Sequence, residues 1–160
     1  MMDDRAFVSY LEDHLAGSEA GRSTVRRIRR DHVADEVGLA MARFDLQFEE
    51  EQRSLRTAIQ RLDDRPSPSL VTQAIGLTSS LLVWARRTAL PEPVPSLLED
   101  LEALAVGVWG KRLLWGAIAR KAAEDPRLSD IEIERLVEMA EAQEIELLRL
   151  RDAELDTLAA

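Results

Sequence analysis

The sequence predicts an all-α fold, a bundle of four long helices arranged as two antiparallel hairpins, and three observations carry that expectation. Leucine and alanine dominate a hydrophobic fraction of 46% in which aromatic residues make up only 4% of the chain. Both are strong helix formers, whereas a sheet protein would need more Val, Thr and aromatic side chains. Apolar residues also recur at spacings of three and four along four long stretches, as one face of a helix requires. Finally, capping residues and prolines stand between those stretches. At 160 residues the chain has the length of one domain, residues 1–160, able to bury roughly 70% of the surface its unfolded form exposes.

The first long helix reads from about Asp3 to His32, with Asp3 or Asp4 as its cap and Phe7, Leu11, His14, Ser18, Gly21, Val25 and Ile28 on one face. The pattern resets between Asp31 and Asp35, and a second stripe runs through Val37, Met41, Phe44, Phe48, Glu51, Leu55, Ala58 and Leu62. It stops where two prolines in DDRPSPS forbid continuation. Ser67 followed by Pro68 then reads as a cap and first position for a shorter helical crossover within residues 64–95.

From Ser69 to Ala85 the crossover contains no charged residue. A membrane span needs ~20 predominantly apolar residues, and this stretch is shorter and carries Thr72, Gln73, Thr78, Ser79 and Ser80. It reads instead as a buried or interface helix whose outer side, including Val71 and Leu82, is covered by a second copy of the chain. A homodimer through residues 69–85 is the expectation.

Ser96 and Glu99 form a capping box that opens the third long helix, which runs through Leu97, Leu101, Leu104, Val108, Lys111, Trp115, Ile118 and Ala122 and ends before Pro126. Ser129 and Glu132 have the same spacing and are expected to open the fourth, through Ile133, Leu136, Ala140, Gln143, Leu147 and Leu150. The tail, residues 151–160, is expected to fray. Short links within each hairpin and about thirty residues between the second and third long helices imply a crossover that travels the length of the bundle.

The chain has no cysteine, which excludes disulfides, thiolate nucleophiles and the usual structural zinc sites. Its acidic opening, MMDDRAFVSYLEDHL, lacks the basic start and apolar run of a secretory signal, so a cytoplasmic location is expected. A net charge of −9 argues against general binding to nucleic-acid phosphates, and neither nucleic acid nor membrane is an expected partner.

Each long helix interrupts its apolar stripe near its midpoint, at Ser18, Glu51, Lys111 and Gln143. In a bundle of similar-length helices these positions meet at the centre, where charge is costly unless paired. Arg112 fits a second stripe beside Lys111, and a shift of one position would send either side chain outward along its stem.

This layout of two hairpins, a long crossover and mid-helix polar residues resembles the ferritin-like superfamily, and the likeness covers nearly the whole chain. The resemblance implies a pair of iron or manganese ions at mid-bundle, held by two Glu and two Glu-x-x-His motifs. Here the motif is absent. Glu51 is followed three positions on by Ser54, and His14 and His32 are preceded by Leu11 and Arg29. An all-carboxylate site from Glu19, Glu51, Glu102, Glu141 and Glu144 is the alternative that hard cations would accept. Lys111 at that level would repel a metal and offer Glu51 a partner without one. The expectation is therefore a ferritin-like bundle with no cofactor and a structural or protein-interaction role, with a degenerate di-metal oxidoreductase or metal store as the alternative. The chain is also similar to small bacterial helical-bundle proteins bearing an H-L-A-G-S-E-A-like first helix and a G-K-R-L-L-W-like third helix, a likeness that implies no activity.

Arg22, Arg26, Arg27, Arg29 and Arg30 crowd the end of the first helix. They read either as an anion-binding patch, centred on Arg22, Arg26, Arg29 and Arg30, or as ion-pair partners placed at a helix C-terminus. The twelve acids between Glu124 and Ala160 read as a solvated face, partly paired along the helix as in Glu132–Arg135, Arg135–Glu138 and Glu146–Arg149. His14 lacks the neighbours of a catalytic triad and reads as a satisfied core histidine. Gly107, Gly110 and Gly116 lie inside a helix, where close packing beside Trp109 and Trp115 would explain them.

Overall fold

Asp3 ends its extended backbone by accepting the amides of Arg5 and Ala6, and so starts α1, Asp4–Asp31, in a computed structural model that describes residues 3–63 and 96–160. The crossover helix and the dimer contact expected of residues 69–85 lie outside the described residues. Asp35 caps α2, Glu36–Leu62, by accepting the Gly38 amide at 2.9 Å, and its other oxygen lies 2.7 Å from Nδ1 of His32. The turn closes so tightly that a Cβ at Gly38 would stand 1.5 Å from the His32 carbonyl oxygen. Only glycine admits that approach.

The capping box at Ser96 forms as expected, with the Ser96 hydroxyl accepting the Glu99 amide and the Glu99 carboxylate accepting the Ser96 amide, and α3 runs from Leu97 to Ala122. The second box does not form. Asp125 accepts the Arg127 amide and nucleates a 3-10 turn at Pro126–Leu128, and the Ser129 hydroxyl is spent on the Pro126 carbonyl at 2.9 Å. Glu132 therefore precedes α4, Ile133–Ala159, without a side-chain cap, and its carboxylate takes Arg135 instead. The tail from Arg151 is helical. α4 continues to Ala159, with Arg151 tied to Glu102 of α3 at 2.9 Å and no Gly or Pro to stop the helix.

Cross-helix pairs fix the directions. Ser18–Gln52, Arg22–Glu49 and Arg26–Asp45 make α1 and α2 antiparallel, and Glu102–Arg151 with Lys111–Gln143 do the same for α3 and α4. Arg27–Asp100 and Asp4–Lys121 join α1 to α3, while Glu36–Arg149 and Arg43–Glu146 join α2 to α4. Each neighbour runs antiparallel, so α2 and α3 lie across the bundle diagonal and point the same way. Arg61 at the end of α2 reaches Asp130 beyond the end of α3, whereas Asp100 at the start of α3 sits at the far end beside Arg27.

All regular elements among the described residues are helical, and Leu11, Val25, Met41, Leu55, Leu101, Trp115, Ile118, Leu136 and Leu147 form one continuous core. Among the described residues no helix is long and apolar enough to cross a membrane.

Candidate functional site

Three of the four midpoint residues meet on the bundle axis. Lys111 projects from α3 and donates to Oε2 of Glu51 on α2 at 2.5 Å and to Oε1 of Gln143 on α4 at 2.8 Å. Its ammonium also lies 3.7 Å from the centre of the Phe48 ring. Two acceptors and an aromatic face thus meet a three-donor ammonium. Gln143 passes the network on by donating to Gln47 at 3.1 Å. Ser18 stands one step aside. It is half-buried and accepts from Gln52 at 3.2 Å, without joining the charged trio.

The trio is dry, with Glu51 only 2% and Lys111 8% exposed. Burial pushes the Glu51 carboxyl above its usual range, with Lys111 pulling it back by charge and hydrogen bond, and pushes the Lys111 ammonium below its own. The charge and hydrogen bond of each partner oppose the burial penalty on the other. Among the described residues Oε1 of Glu51 has no hydrogen-bond partner within bonding distance.

A cavity of about 490 Å3 opens beside this pair, between α1, α2 and α3. Gly17 and Gly21 on α1 and Gly107 and Gly110 on α3 line it, together with Phe48, Leu104 and Trp115. Among the described residues, added Cβ atoms at Gly107, Gly110 and Gly116 would meet nothing within 4 Å, so none of the described helices packs closely against them. At Gly107 and Gly110 the missing side chains leave space in the cavity wall. His14 is not a satisfied core residue either. It is half-buried in the same wall, edge-on to Tyr10 at 4.6 Å, and burial lowers its pKa.

The candidate metal ligands do not converge. Glu19 pairs with Arg56, Glu102 with Arg151, and Glu141 and Glu144 both with Arg112, all at the surface or partly exposed, while Glu51 is taken by Lys111. Among the described residues no three His, Asp or Glu side chains gather as a metal site would require. The trio does not fit iron or manganese, because the Lys111 ammonium stands where a cation between Glu51 and Gln143 would sit.

The arginine cluster is organised around one carboxylate. Arg22 at 2.6 Å, Arg26 at 2.9 Å and Arg29 at 3.6 Å all approach Asp45, and Arg22 also reaches Glu49. Arg27 instead makes a two-pronged contact with Asp100. Arg22, Arg26, Arg30 and Arg56 line a shallow surface depression, with Glu19 among them.

Sequence reasoning missed Asp45, Asp100 and the end cluster of Asp4, Lys121, Asp125 and Arg127. Lys121, 5% exposed, contacts Asp4 at 2.5 Å and Asp125 at 3.7 Å. Asp45 follows Phe44 and Asp100 precedes Leu101, so each sits at the border of an apolar stripe. A carboxylate at that border facing arginines on the neighbouring helix was the available signal. Comparison with known protein families, with curated proteins and with solved structures finds no match.

Proposed function

We propose that the chain is a metal-free bundle of the ferritin-like layout, with a structural or protein-binding role and no catalytic one. The observation that carries this reading is the Lys111 ammonium seated between Glu51 and Gln143. A charge that the ferritin-like site supplies with metal is supplied here by the protein itself, and it costs the chain no dependence on an ion. The antiparallel neighbours and the parallel diagonal of α2 and α3 support the layout.

Metal analysis of the purified protein, with melting in the presence and absence of chelator, tests the reading. The expected result is less than stoichiometric iron or manganese and an unchanged Tm. Stoichiometric metal together with a chelator-lowered Tm would put a degenerate di-metal bundle in its place, because a bound metal stabilises the folded state it binds.

A further inference from the structure

The two flanks of the bundle that join its hairpins are built differently. Between α2 and α4, the ion pairs Glu36–Arg149, Arg43–Glu146 and Glu50–Arg135 bridge the helices at three levels. A further segment laid over that flank would have to desolvate them. Between α1 and α3, the pairs Arg27–Asp100 and Asp4–Lys121 stand at the two ends, and the cavity opens in the middle. Small residues line both of its banks, Gly17, Ala20 and Gly21 on α1 and Ala103, Gly107 and Gly110 on α3. Added Cβ atoms at Gly17, Gly107 and Gly110 would meet no described atom within 4 Å, so another backbone can approach closely there. Gly17, Val106 and Gly107 are exposed among the described residues, so the cavity is open to the outside. Its polar wall is mixed. Hydroxyls of Tyr10 and Ser18, the His14 ring and the Gln52 amide stand beside an exposed Asp13 and the mutually paired Glu51 and Lys111.

The chain itself supplies a segment of matching make-up and path. Residues 64–95 connect the end of α2 to the start of α3, and these two points lie at opposite ends of the bundle. The connection must therefore travel its length, ~39 Å for the 26 residues of α3. Within it, Ser69 to Ala85 carries no charge and places Leu70, Ala74, Leu77 and Leu81 at spacings of four and three, with Thr72, Gln73, Thr78 and Ser80 among them. An apolar stripe of that length needs cover, and the flank without bridging ion pairs at its middle offers it. We propose that the cavity between α1 and α3 is the docking site of the chain's own residues 69–85, with Leu70, Ala74, Leu77 and Leu81 against the small residues of its banks. This goes beyond the proposed role of the bundle and does not depend on its metal content.

Because the chain has no cysteine, introduced pairs can be crosslinked with a short bismaleimide without side reactions. Val106→Cys, on the cavity wall, is combined in turn with Ala74→Cys, Leu77→Cys and Leu81→Cys in the full chain. At least one pair is expected to link within a single chain. Leu46→Cys, between Arg43 and Glu50 on α2, is expected to link with none of the three. Links found only between two chains would show that a second copy supplies the segment, and links through Leu46→Cys alone would put it on the other flank. Either result, or no link at all, overturns the proposal. Gly107→Leu with Gly110→Leu fills the cavity and is expected to speed thermolysin cleavage within residues 69–85 about tenfold, since cleavage follows the population of the undocked segment. If circular dichroism shows that this variant fails to fold, Gly107→Ala with Gly110→Ala takes its place, with a severalfold increase expected. An unchanged cleavage rate in a folded filled variant would equally overturn the proposal.

Discussion

The chain has two lysines among 21 basic residues, and both are buried, Lys111 at mid-bundle and Lys121 near one end, while no arginine among the described residues is. Their surroundings differ in one respect that decides their energetics. Lys111 has one carboxylate for a partner, and that carboxylate is as dry as the ammonium itself. Lys121 contacts Asp4, whose side chain is one-third exposed, as well as Asp125, and Arg127 shares both of those carboxylates. Water and a second cation therefore stand by at the end of the bundle if one member is lost, whereas among the described residues no second ion pairs with Glu51 or Lys111 at the centre. Buried charge is thus a liability only where its partner cannot reach solvent.

The largest expected effect breaks the central pair. Lys111→Met or Glu51→Leu alone should cost about 3–5 kcal/mol, because each leaves the other charge uncompensated in a dry layer. The two together should cost far less than the sum, since an apolar pair removes both desolvation costs at once. Denaturant unfolding of the four proteins in the cycle measures this. Additive single effects would mean that the pair is not coupled and that Glu51 draws its compensation from elsewhere.

A second experiment sharpens the same point through pH. Without Lys111 the buried Glu51 carboxyl loses what held its pKa down, so its folded value rises further above the usual 4.5. A carboxyl raised in this way contributes stability in full below the unfolded value and loses it as pH rises through the folded value. Lys111→Met should therefore become progressively less stable, relative to the parent protein, from pH 5 to pH 8. A pH-independent difference would show that Glu51 is not the group left unpaired.

Most of this architecture was legible in the sequence, for reasons particular to each part. Glu51, Lys111 and Gln143 each break an apolar stripe at the same depth, and a periodic pattern interrupted at one level is visible to simple counting. Ser18 fell one step aside because α1 faces a cavity there, so its mid-helix residues are half-buried and need not join the axis. The second capping box failed because Asp125-Pro126 forms a tight turn first and spends the Ser129 hydroxyl. Spacing alone does not reveal such a competition. The glycines of α3 read as tight packing, and no described residue approaches them; a missing side chain looks the same in sequence whether a neighbour or a space lies opposite.

Lys121→Met tests the other half of the comparison. Asp4 and Asp125 keep Arg127 at 2.5 and 2.7 Å, and Asp4 retains contact with water. The expected cost is about 1 kcal/mol or less, the scale of a solvent-accessible ion pair, and so at most a third of that for Lys111→Met. Equal costs at the two sites would erase the distinction drawn between a dry and a wetted partner.

The smallest expected effect is acid loosening at the end cluster. The hydrogen bond from the Arg127 side chain, with further help from the Arg127 amide and the Lys121 charge, holds the Asp125 carboxyl down to about 2 from its usual 3.8. Asp4 is lowered in the same direction by bonds from Lys121 and Arg127. A depressed carboxyl contributes stability in full above its unfolded pKa and loses it as pH falls through the folded value. The contribution of Asp125 should therefore be whole above about pH 4 and fade toward about pH 2. Asp125 also caps the 3-10 turn at Pro126–Leu128, so protonation should weaken that turn and the end of α3 beside it before it reaches the middle of the bundle. Carboxyl chemical shifts followed from pH 5 to pH 1.5 should give Asp125 a midpoint near 2, and Arg127→Met should return it toward 3.8. A midpoint near 3.8 in the parent protein would mean that the Arg127 clasp does not hold in solution, and Lys121 would then depend on Asp4 much as Lys111 depends on Glu51.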